Sequence, residues 1–287
     1  MRAFAVAQPE DLAEAVALLA REPAARLLAG GTDLIIGLRD GSIRTPVVID
    51  IKRIRELEAS IAETDGGLLI GARTAMTEIA ADPRIRARYT ALAEGAAVVG
   101  SVQIRNRATL PGNICNASPA ADTTPALLVF GATVVVRGPA GERRLPIDEV
   151  FVRSGVTTIR PDEIVTRIDL PPMPGRAGST HVRRTRRRGH DLASVTIAVA
   201  VLESGETRLA YGSVGPRPLL RVDTTGVLAD PAASEAARLG VLDELFADAA
   251  PSAGSMRASP EYRLAMLRVL GLRAVDTARA RRDGAAA

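Results

Sequence analysis

The chain contains 287 residues, of which 47% are hydrophobic and 24% are charged, and these proportions exclude disordered and fibrous proteins. Its length allows two domains that each bury a core. The formal net charge is only +4, 2% of the residues are aromatic and Trp is absent, which argues against a nucleic-acid-binding protein.

The lengths of the apolar runs and the cysteine content further restrict the class of protein. No apolar run approaches the ~20 residues of a membrane-spanning helix, and the first residues lack the pattern of a signal peptide, so we expect a cytoplasmic protein without a transmembrane segment. Cys115 is the only cysteine, and His181 and His190 are the only histidines. A single cysteine cannot form an internal disulfide or hold an iron–sulfur cluster by itself. We therefore predict no protein-held metal and chemistry that depends on an organic cofactor.

The first part of the chain is predicted to consist of strand–helix steps. Apolar residues at helical spacing in "QPEDLAEAVALLARE" (8–22) indicate a helix. The stretch "ARLLAGGTDLIIGLRDG" is typical of a strand, a tight turn and a second helix, and "TPVVIDI" of a short strand. The stretch "LLIGARTAMTEIA" repeats the order of strand, glycine and helix.

The later part of the chain predicts antiparallel strands. A hairpin is indicated by "ATVVVRG" and "RRLPI", and a further strand by "EIVTRIDLP". The Pro- and Gly-rich stretch 171–179 marks a boundary. After it, three strands ("STHVRRTRR", "ASVTIAVAVLE", "ETRLAYGSVG") predict an antiparallel meander, followed by two helices. We expect an α+β protein with one domain over residues 1–173 and a smaller α+β domain, a three-stranded antiparallel sheet plus helices, over residues 174–287.

A double glycine marks the first candidate binding loop. Gly30 and Gly31 lie between an apolar strand and a helix whose N-cap would be Thr32 or Asp33. Glycines at such a turn let backbone N–H groups approach an anion closely. A double glycine is also typical of a simple tight turn, and the G-x-G-x-x-G pattern is absent, so a dinucleotide would not bind as in a Rossmann fold.

The second candidate is the stretch "RATLPGNICNASPAADTTPALL" (107–128). Thr109, Asn113 and Ser118 can donate to phosphate or ribose oxygens, and Asp122 can accept from a hydroxyl. Each also has a structural interpretation: Asp122 as a helix cap, Asn113 as a turn residue, and Cys115 as a small buried apolar group. The density of small polar residues favours a binding loop.

At these residues the sequence resembles a known family. The segments "LLAGGTDLI", "VVIDI", "LLIGARTAMTEIA", "GSVQIRNRATLPGNICNASPAADTTPALL", "HDLASV" and "YGSVGPRPL" resemble, in order and spacing, the FAD-binding medium subunit of molybdenum hydroxylases. This is the flavoprotein chain of the carbon monoxide dehydrogenase, xanthine dehydrogenase and aldehyde dehydrogenase group. The resemblance implies an FAD-binding domain of the vanillyl-alcohol oxidase type, with subparts at about 1–57 and 58–173.

The resemblance also implies which residues bind FAD. The first loop would hold the pyrophosphate through backbone amides, the second would contact the phosphates and the adenosine, and the end of one strand would lie near the flavin. The residues concerned are Ala29, Gly30, Gly31, Thr32, Asp33 and Leu34; Thr109, Leu110, Gly112, Asn113, Ser118 and Asp122; and Ile70 and Gly71. No residue is predicted to be catalytic.

Two positions depart from the family pattern. Pro111 stands where relatives usually have a glycine, so any phosphate bond from that amide is lost, at a cost of about 1–3 kcal/mol if the oxygen stays unpaired. We expect FAD binding to survive through Gly112 and Asn113. Arg183 stands where relatives often carry a lysine near the flavin, so it would either tune the flavin or face water.

The function implied is electron transfer within a complex. A large partner subunit would hold the molybdenum cofactor, a small partner would hold 2Fe–2S clusters, and FAD in this chain would pass electrons to an external acceptor. Two copies of each subunit would form a dimer of heterotrimers. Two alternatives stay open: a free-standing flavoprotein oxidoreductase of the same superfamily, and a flavin-free assembly module.

Overall fold

A small parallel sheet begins the fold. The computed structural model describes residues 2–187 and 189–284. The first elements are β1 (Ala5–Ala7), α1 (Leu12–Arg21), β2 (Arg26–Leu28), α2 (Leu34–Asp40) and β3 (Val47–Asp50). The strands pair in the order β1-β3-β2, all parallel, which confirms the predicted strand–helix steps in this part of the chain. Leu19 of α1 packs with Ile49, Ile54 and Leu57 in a core under this sheet.

A five-stranded antiparallel sheet follows. The strands of this region are β4 (Ile61–Thr64), β5 (Gly67–Gly71), β6 (Thr133–Gly138), β7 (Gly141–Pro146), β8 (Phe151–Arg153), β9 (Val156–Thr157) and β10 (Ile164–Leu170). The sheet has the order β4-β5-β10-β6-β7, while β8 and β9 pair only with each other. The predicted hairpin β6–β7 is confirmed. The stretch "LLIGARTAMTEIA" does form a strand and a helix, but its strand pairs antiparallel and not as a second parallel step.

Short helices pack against the five-stranded sheet. They are α3 (Met76–Ala81), α4 (Pro83–Arg88), α5 (Thr90–Ala97), α6 (Val102–Arg105), α7 (Leu110–Asn116), α8 (Thr124–Val129) and α9 (Ile147–Val150). Their apolar side chains share one core with Ile70, Val134 and Ile168 of the strands. The second candidate loop is therefore partly helical, since residues 110–116 form α7.

The C-terminal region forms a separate antiparallel sheet with two helices. Its elements are β11 (Ala177–Arg184), β12 (Val195–Leu202), β13 (Thr207–Gly212), β14 (Leu219–Asp223), α10 (Glu235–Leu245) and α11 (Pro260–Arg282). The prediction of three strands was wrong, because β14 adds a fourth strand at the edge of the meander. Its segment "LLRVD" is short and contains an exposed Val222, so the alternation of apolar residues that reveals a strand is weak there.

Strand β12 joins the C-terminal sheet to the rest of the molecule. Ile197 and Val199 face a core that includes Leu267 and Val275 of α11. Ala198 and Ala200 face the other way, into the core of the five-stranded sheet. The small side chains on that face let α5 and α8 approach closely. The C-terminal sheet is thus fixed beside the second candidate loop.

Within the described parts of the chain, no helix is both long enough and apolar enough to cross a membrane.

Candidate functional site

The first glycine loop connects the end of β2 with the start of α2. Gly31 has φ 76°, a left-handed conformation that favours glycine. Among the hydrogen bonds of the described residues, none uses the backbone N–H of Gly30, Gly31, Thr32 or Asp33 as a donor. Successive free N–H groups in such a turn form an anion-binding concavity. Asp33 occupies the N-cap position of α2, but its side chain makes no capping hydrogen bond.

The second segment begins with a capped helix. Thr109 caps α7 by accepting a hydrogen bond from Gly112 N at 3.2 Å. Gly112 is exposed, whereas Leu110 is fully buried and exposes none of its atoms in this structure. Asn113 is half-buried, and its Oδ1 accepts a hydrogen bond from Thr123 Oγ1 at 2.7 Å. The amide N–H groups of Asn113 remain available for a ligand.

Pro111 was predicted to lie in a loop, but it occupies a position in α7 that accepts proline. It lies in the first turn of α7 with its ring buried. N–H groups in the first turn of a helix have no intrahelical acceptor, so the missing donor costs no helical hydrogen bond. Its effect on cofactor binding stays a prediction.

A turn after α7 presents the remaining polar residues. Ser118 O accepts from Ala121 N at 3.0 Å, and Ser118 Oγ accepts from Ala120 N at 3.2 Å. Ala117, which precedes the turn, has φ 47°, an unfavourable value for a residue with a Cβ. Asp122 follows the turn, and its backbone passes so close to α5 that a Cβ at Gly95 would lie 2.6 Å from Asp122 O.

The two candidate loops lie against each other. A Cβ at Gly30 would lie 2.0 Å from the carbonyl oxygen of Arg107, the first residue of the second segment. Only glycine permits this approach of two backbones. Arg107 is not among the residues that the sequence pattern singled out as ligands. The free amides of the first loop are thereby placed beside the start of the second segment.

Ile70 and Gly71 lie at the end of β5, next to the same region. A bridge between Ala75 and Thr109 and a hydrogen bond from Met76 N to Ala108 O at 2.9 Å tie the chain after β5 to the second segment. Ile70 is fully buried in the core, so none of its atoms is exposed to a ligand in this structure. A Cβ at Gly71 would lie 2.5 Å from Glu58 O, which explains the glycine at that position by packing.

Asp122 forms a buried ion pair with the C-terminal sheet. Arg183 Nη1 donates to Asp122 Oδ2 at 2.8 Å, so Arg183 is engaged with the second segment and does not simply face water. Burial raises the pKa of Asp122 to about 7, although the charge of Arg183 and its hydrogen bond oppose that rise. Asp122 Oδ1 has no hydrogen-bond partner among the described residues. A hydroxyl group of a bound ligand would satisfy this oxygen.

His181 lies beside this pair and was not predicted to belong to the site. Its Nε2 is 2.8 Å from Thr196 Oγ1 and 3.7 Å from Asp122 Oδ1, and the second distance is too long for a hydrogen bond. Burial, with the charge of Arg183 adding to it, lowers the pKa of His181 to about 3. The ring is therefore neutral at physiological pH, so among the described residues Arg183 is the cation that pairs with Asp122.

Cys115 differs from the predicted small buried apolar group. The side chain is exposed, so that structural interpretation was wrong. The surrounding protein nevertheless removes solvation from the thiolate, and this burial raises the pKa of the thiol to about 11. Within residues 2–187 and 189–284, no group of three or more His, Cys, Asp or Glu side chains is arranged to hold a metal ion.

Comparison with family models matches nearly the whole chain. The model "FAD binding domain in molybdopterin dehydrogenase" matches residues 2–173, and the model "CO dehydrogenase flavoprotein C-terminal domain" matches residues 180–278. The putative xanthine dehydrogenase FAD-binding subunit of Escherichia coli is 34% identical over 279 residues, which cover 95% of each chain. The carbon monoxide dehydrogenase medium chain of Hydrogenophaga pseudoflava is 32% identical over 95% of this chain and 96% of that protein.

Solved structures resemble the fold over the same length. A chain of carbon monoxide dehydrogenase from Hydrogenophaga pseudoflava superposes with a TM-score of 0.90 at 30% identity, covering 98% of both chains. A chain of quinoline 2-oxidoreductase from Pseudomonas putida superposes with a TM-score of 0.86, and its 24% identity supports a common fold alone.

Proposed function

Because this chain belongs to the family of FAD-binding subunits of molybdopterin dehydrogenases, we propose that it passes electrons from the iron–sulfur clusters of a partner subunit to an external acceptor. It is an oxidoreductase subunit whose cofactor is FAD. Bound FAD exchanges one or two electrons and so can connect one-electron clusters with a two-electron acceptor. The chain itself holds and orients the cofactor.

The contact between the two loops carries the assignment of the binding residues. Gly30 lies against Arg107 O, so the free N–H groups of residues 30–33 and the segment 109–122 can hold one ligand from two sides. We assign the pyrophosphate to the amides of the first loop, as its free donors favour. Thr109, Gly112, Asn113, Ser118 and Asp122 would contact the rest of the phosphates and the adenosine side.

The unpaired oxygen of Asp122 supports this assignment. A buried carboxylate oxygen without a donor costs free energy, about 1–3 kcal/mol or more for a charged group. A hydroxyl of the cofactor would remove that cost, while Arg183 orients the carboxylate and opposes the rise in its pKa that burial causes. A role for Arg183 in tuning the flavin stays a proposal, as do the backbone contacts of Ala29, Leu34, Leu110, Ile70 and Gly71.

The sheets support a division of the chain into three units. The parallel sheet lies within residues 5–50, the five-stranded sheet within 61–170 and the C-terminal sheet within 177–223. We propose unit boundaries at about 1–57, 58–173 and 174–287, with an FAD domain of the vanillyl-alcohol oxidase type. The parallel sheet beside a larger antiparallel sheet supports that type. A cytoplasmic location stays a prediction.

The partners are proposed from the relatives. Carbon monoxide dehydrogenase of Hydrogenophaga pseudoflava contains a chain named the medium chain, which implies larger and smaller chains in that enzyme. We propose that this chain likewise assembles with a large molybdenum subunit and a small iron–sulfur subunit, two copies of each. A sizing measurement of the purified complex would test whether its mass is that of a dimer of heterotrimers.

Two measurements test the proposal. The purified full-length chain should carry flavin absorbance or acquire it when FAD is added. Co-expressed with the subunits of the neighbouring genes, it should co-purify with them, and the flavin should be reduced on addition of substrate only when both partners are present. A chain that stays colourless with added FAD would favour the assembly module, and a coloured chain that never associates with such subunits would favour a free-standing flavoprotein.

A further inference from the structure

A strained turn lies against the second binding segment. Ser213 follows β13, is buried, and has φ 66°, a conformation that residues with a Cβ rarely adopt. Among the described residues, Asp65, Ala117 and Ser213 are the non-glycine residues with positive φ. Ala117 and Ser213 both adjoin the turn that runs from Ser118 to Ala121. Strain of this kind persists only where the surrounding contacts enforce it, and it tends to cluster at functional sites.

Hydrogen bonds of Ser213 connect two separate parts of the chain. Its N–H donates to Pro119 O at 2.7 Å, and its Oγ donates to Ala193 O at 2.9 Å. A Cβ at the preceding Gly212 would lie 2.7 Å from the same Pro119 O, so the two backbones are in direct contact. Pro119 follows Ser118 in the turn that leads to Asp122. The position of Ser213 therefore sets the position of this turn.

The carbonyl of Ser213 is held by a buried cation. Arg263 of α11 is only 4% exposed, and its Nη1 donates to Ser213 O while its Nη2 donates to Ser255 Oγ. No carboxylate pairs with Arg263 among the residues that the structure describes. A buried cation without an ion pair is costly, and a charge-assisted donor binds a carbonyl more strongly than a neutral one does. The hydrogen bond from Arg263 thus fixes the peptide plane after Ser213, while the hydrogen bond to Pro119 O fixes the peptide plane before it.

We propose that Arg263 is a positioning residue of the FAD site, which acts through Ser213 and Pro119 to fix Ser118 and Asp122. The inference rests on the proposed function, because it takes the segment 109–122 as part of the FAD site. Among the described residues, the hydrogen bonds of Arg263 go to Ser213 and Ser255 and not to that segment. Its effect passes along one chain of contacts, from the guanidinium to Ser213 O, and from Ser213 N to Pro119 O.

The test measures FAD binding by the full-length chain after removal of its flavin. Arg263→Met should raise the FAD dissociation constant by roughly 10-fold, since Ser213 O loses its donor and the turn relaxes. The visible circular dichroism of the bound flavin should change with it. An Arg263→Met chain with wild-type affinity and wild-type flavin dichroism overturns the proposal.

Rescue distinguishes positioning from simple packing. Glycine adopts φ near 66° without strain, so Ser213→Gly added to Arg263→Met should recover part of the lost affinity. No recovery would mean that Arg263 acts only by filling the core. Arg238→Met is the matched control: Arg238 pairs with Asp276 and joins α10 to α11 without contacting Ser213, so its loss should lower stability and leave FAD affinity unchanged.

Two further variants keep the test decisive. If Arg263→Met does not fold, Ser213→Val tests the same link, because a β-branched residue disfavours positive φ and should weaken FAD binding; unchanged affinity overturns the proposal. Asp122→Asn distinguishes a failure of the role of Arg263 from a failure of the proposed FAD site. If wild type binds FAD and Asp122→Asn weakens it while the Arg263 and Ser213 variants bind normally, this inference fails and the proposed function stands. If wild type takes up no FAD, both fail.

Discussion

Arg183 Nη1 lies 2.8 Å from Asp122 Oδ2, which ties β11 of the C-terminal sheet to the turn that follows α7. The two residues are 61 positions apart in the chain. Both are largely enclosed, with side-chain exposures of 16% for Arg183 and 9% for Asp122. The pair therefore couples the ionisation of Asp122 to the packing of the C-terminal sheet.

Asp122 should make the stability of the flavin-free chain fall as the pH rises. Its folded-state pKa, raised by burial to about 7, exceeds the ordinary value of 3.8, so the folded chain binds the proton more tightly than the unfolded chain does. Its contribution is complete below about pH 4 and is lost by pH 7, a change on the order of 4 kcal/mol at most. Asp122→Asn should remove this slope in urea unfolding measured from pH 4 to 8.

The difference in the pH dependence of stability between wild type and Asp122→Asn isolates the contribution of Asp122. His181 acts in the opposite direction, because its lowered pKa adds stability as the pH rises to its ordinary value of 6.5, but it is present in both. Asp191→Asn is a control of opposite sign: the hydrogen bond from Arg186 lowers the pKa of Asp191 to about 2, so that carboxylate stabilises the fold at neutral pH. Equal slopes for wild type and Asp122→Asn would contradict the buried, proton-binding carboxylate.

Gly30→Ala should separate the two loops. The new Cβ would lie 2.0 Å from Arg107 O, and because backbone atoms form both sides of the contact, one loop must move. Overpacking of this kind costs about 1–3 kcal/mol, which corresponds to roughly 5- to 150-fold weaker FAD binding if it falls on the site. Fluorescence titration with FAD measures the change. Gly240→Ala, at a position with open space within α10, should leave the affinity at the wild-type value.

Pro111→Gly should tighten FAD binding. The variant restores an N–H in the first turn of α7, where no intrahelical acceptor competes for it. One recovered hydrogen bond to a charged oxygen is worth about 1.5–3 kcal/mol, while loss of the buried ring lowers stability. Pro125→Gly is a matched change in the first turn of α8 and should lower stability without a gain in affinity. Equal FAD affinities for wild type and Pro111→Gly would mean that no phosphate oxygen lies within reach of that amide.

Cys115 should react slowly despite its exposure. With the thiol pKa raised to about 11, two units above its ordinary 9.0, the thiolate fraction at pH 7 falls by ~100-fold. Alkylation by iodoacetamide should therefore be slow at neutral pH, and its rate should continue to rise up to about pH 11. A rate that levels off near pH 9 would contradict the enclosed position.

Local features of the site could be predicted because they depend on neighbouring residues. Gly31 adopts the left-handed turn that its lack of a side chain permits, whereas the helix α7 and its cap Thr109 were not predicted. The family motifs are also contiguous stretches, so they can be recognised without knowledge of the fold. The weakly alternating edge strand β14 escaped prediction, because its pairing with β13 and not its own pattern makes it a strand.

By itself, then, the sequence determined the family, the FAD cofactor and the two glycine-containing segments. Only the tertiary structure decided how these segments are held: Gly30 against Arg107, Asp122 against Arg183, and Pro119 against Ser213 under the control of Arg263. The physical reason is the separation along the chain over which each interaction acts. Turn and cap preferences follow from short-range sterics along the chain, whereas the partner of a buried charge is chosen by the packing of distant elements around it.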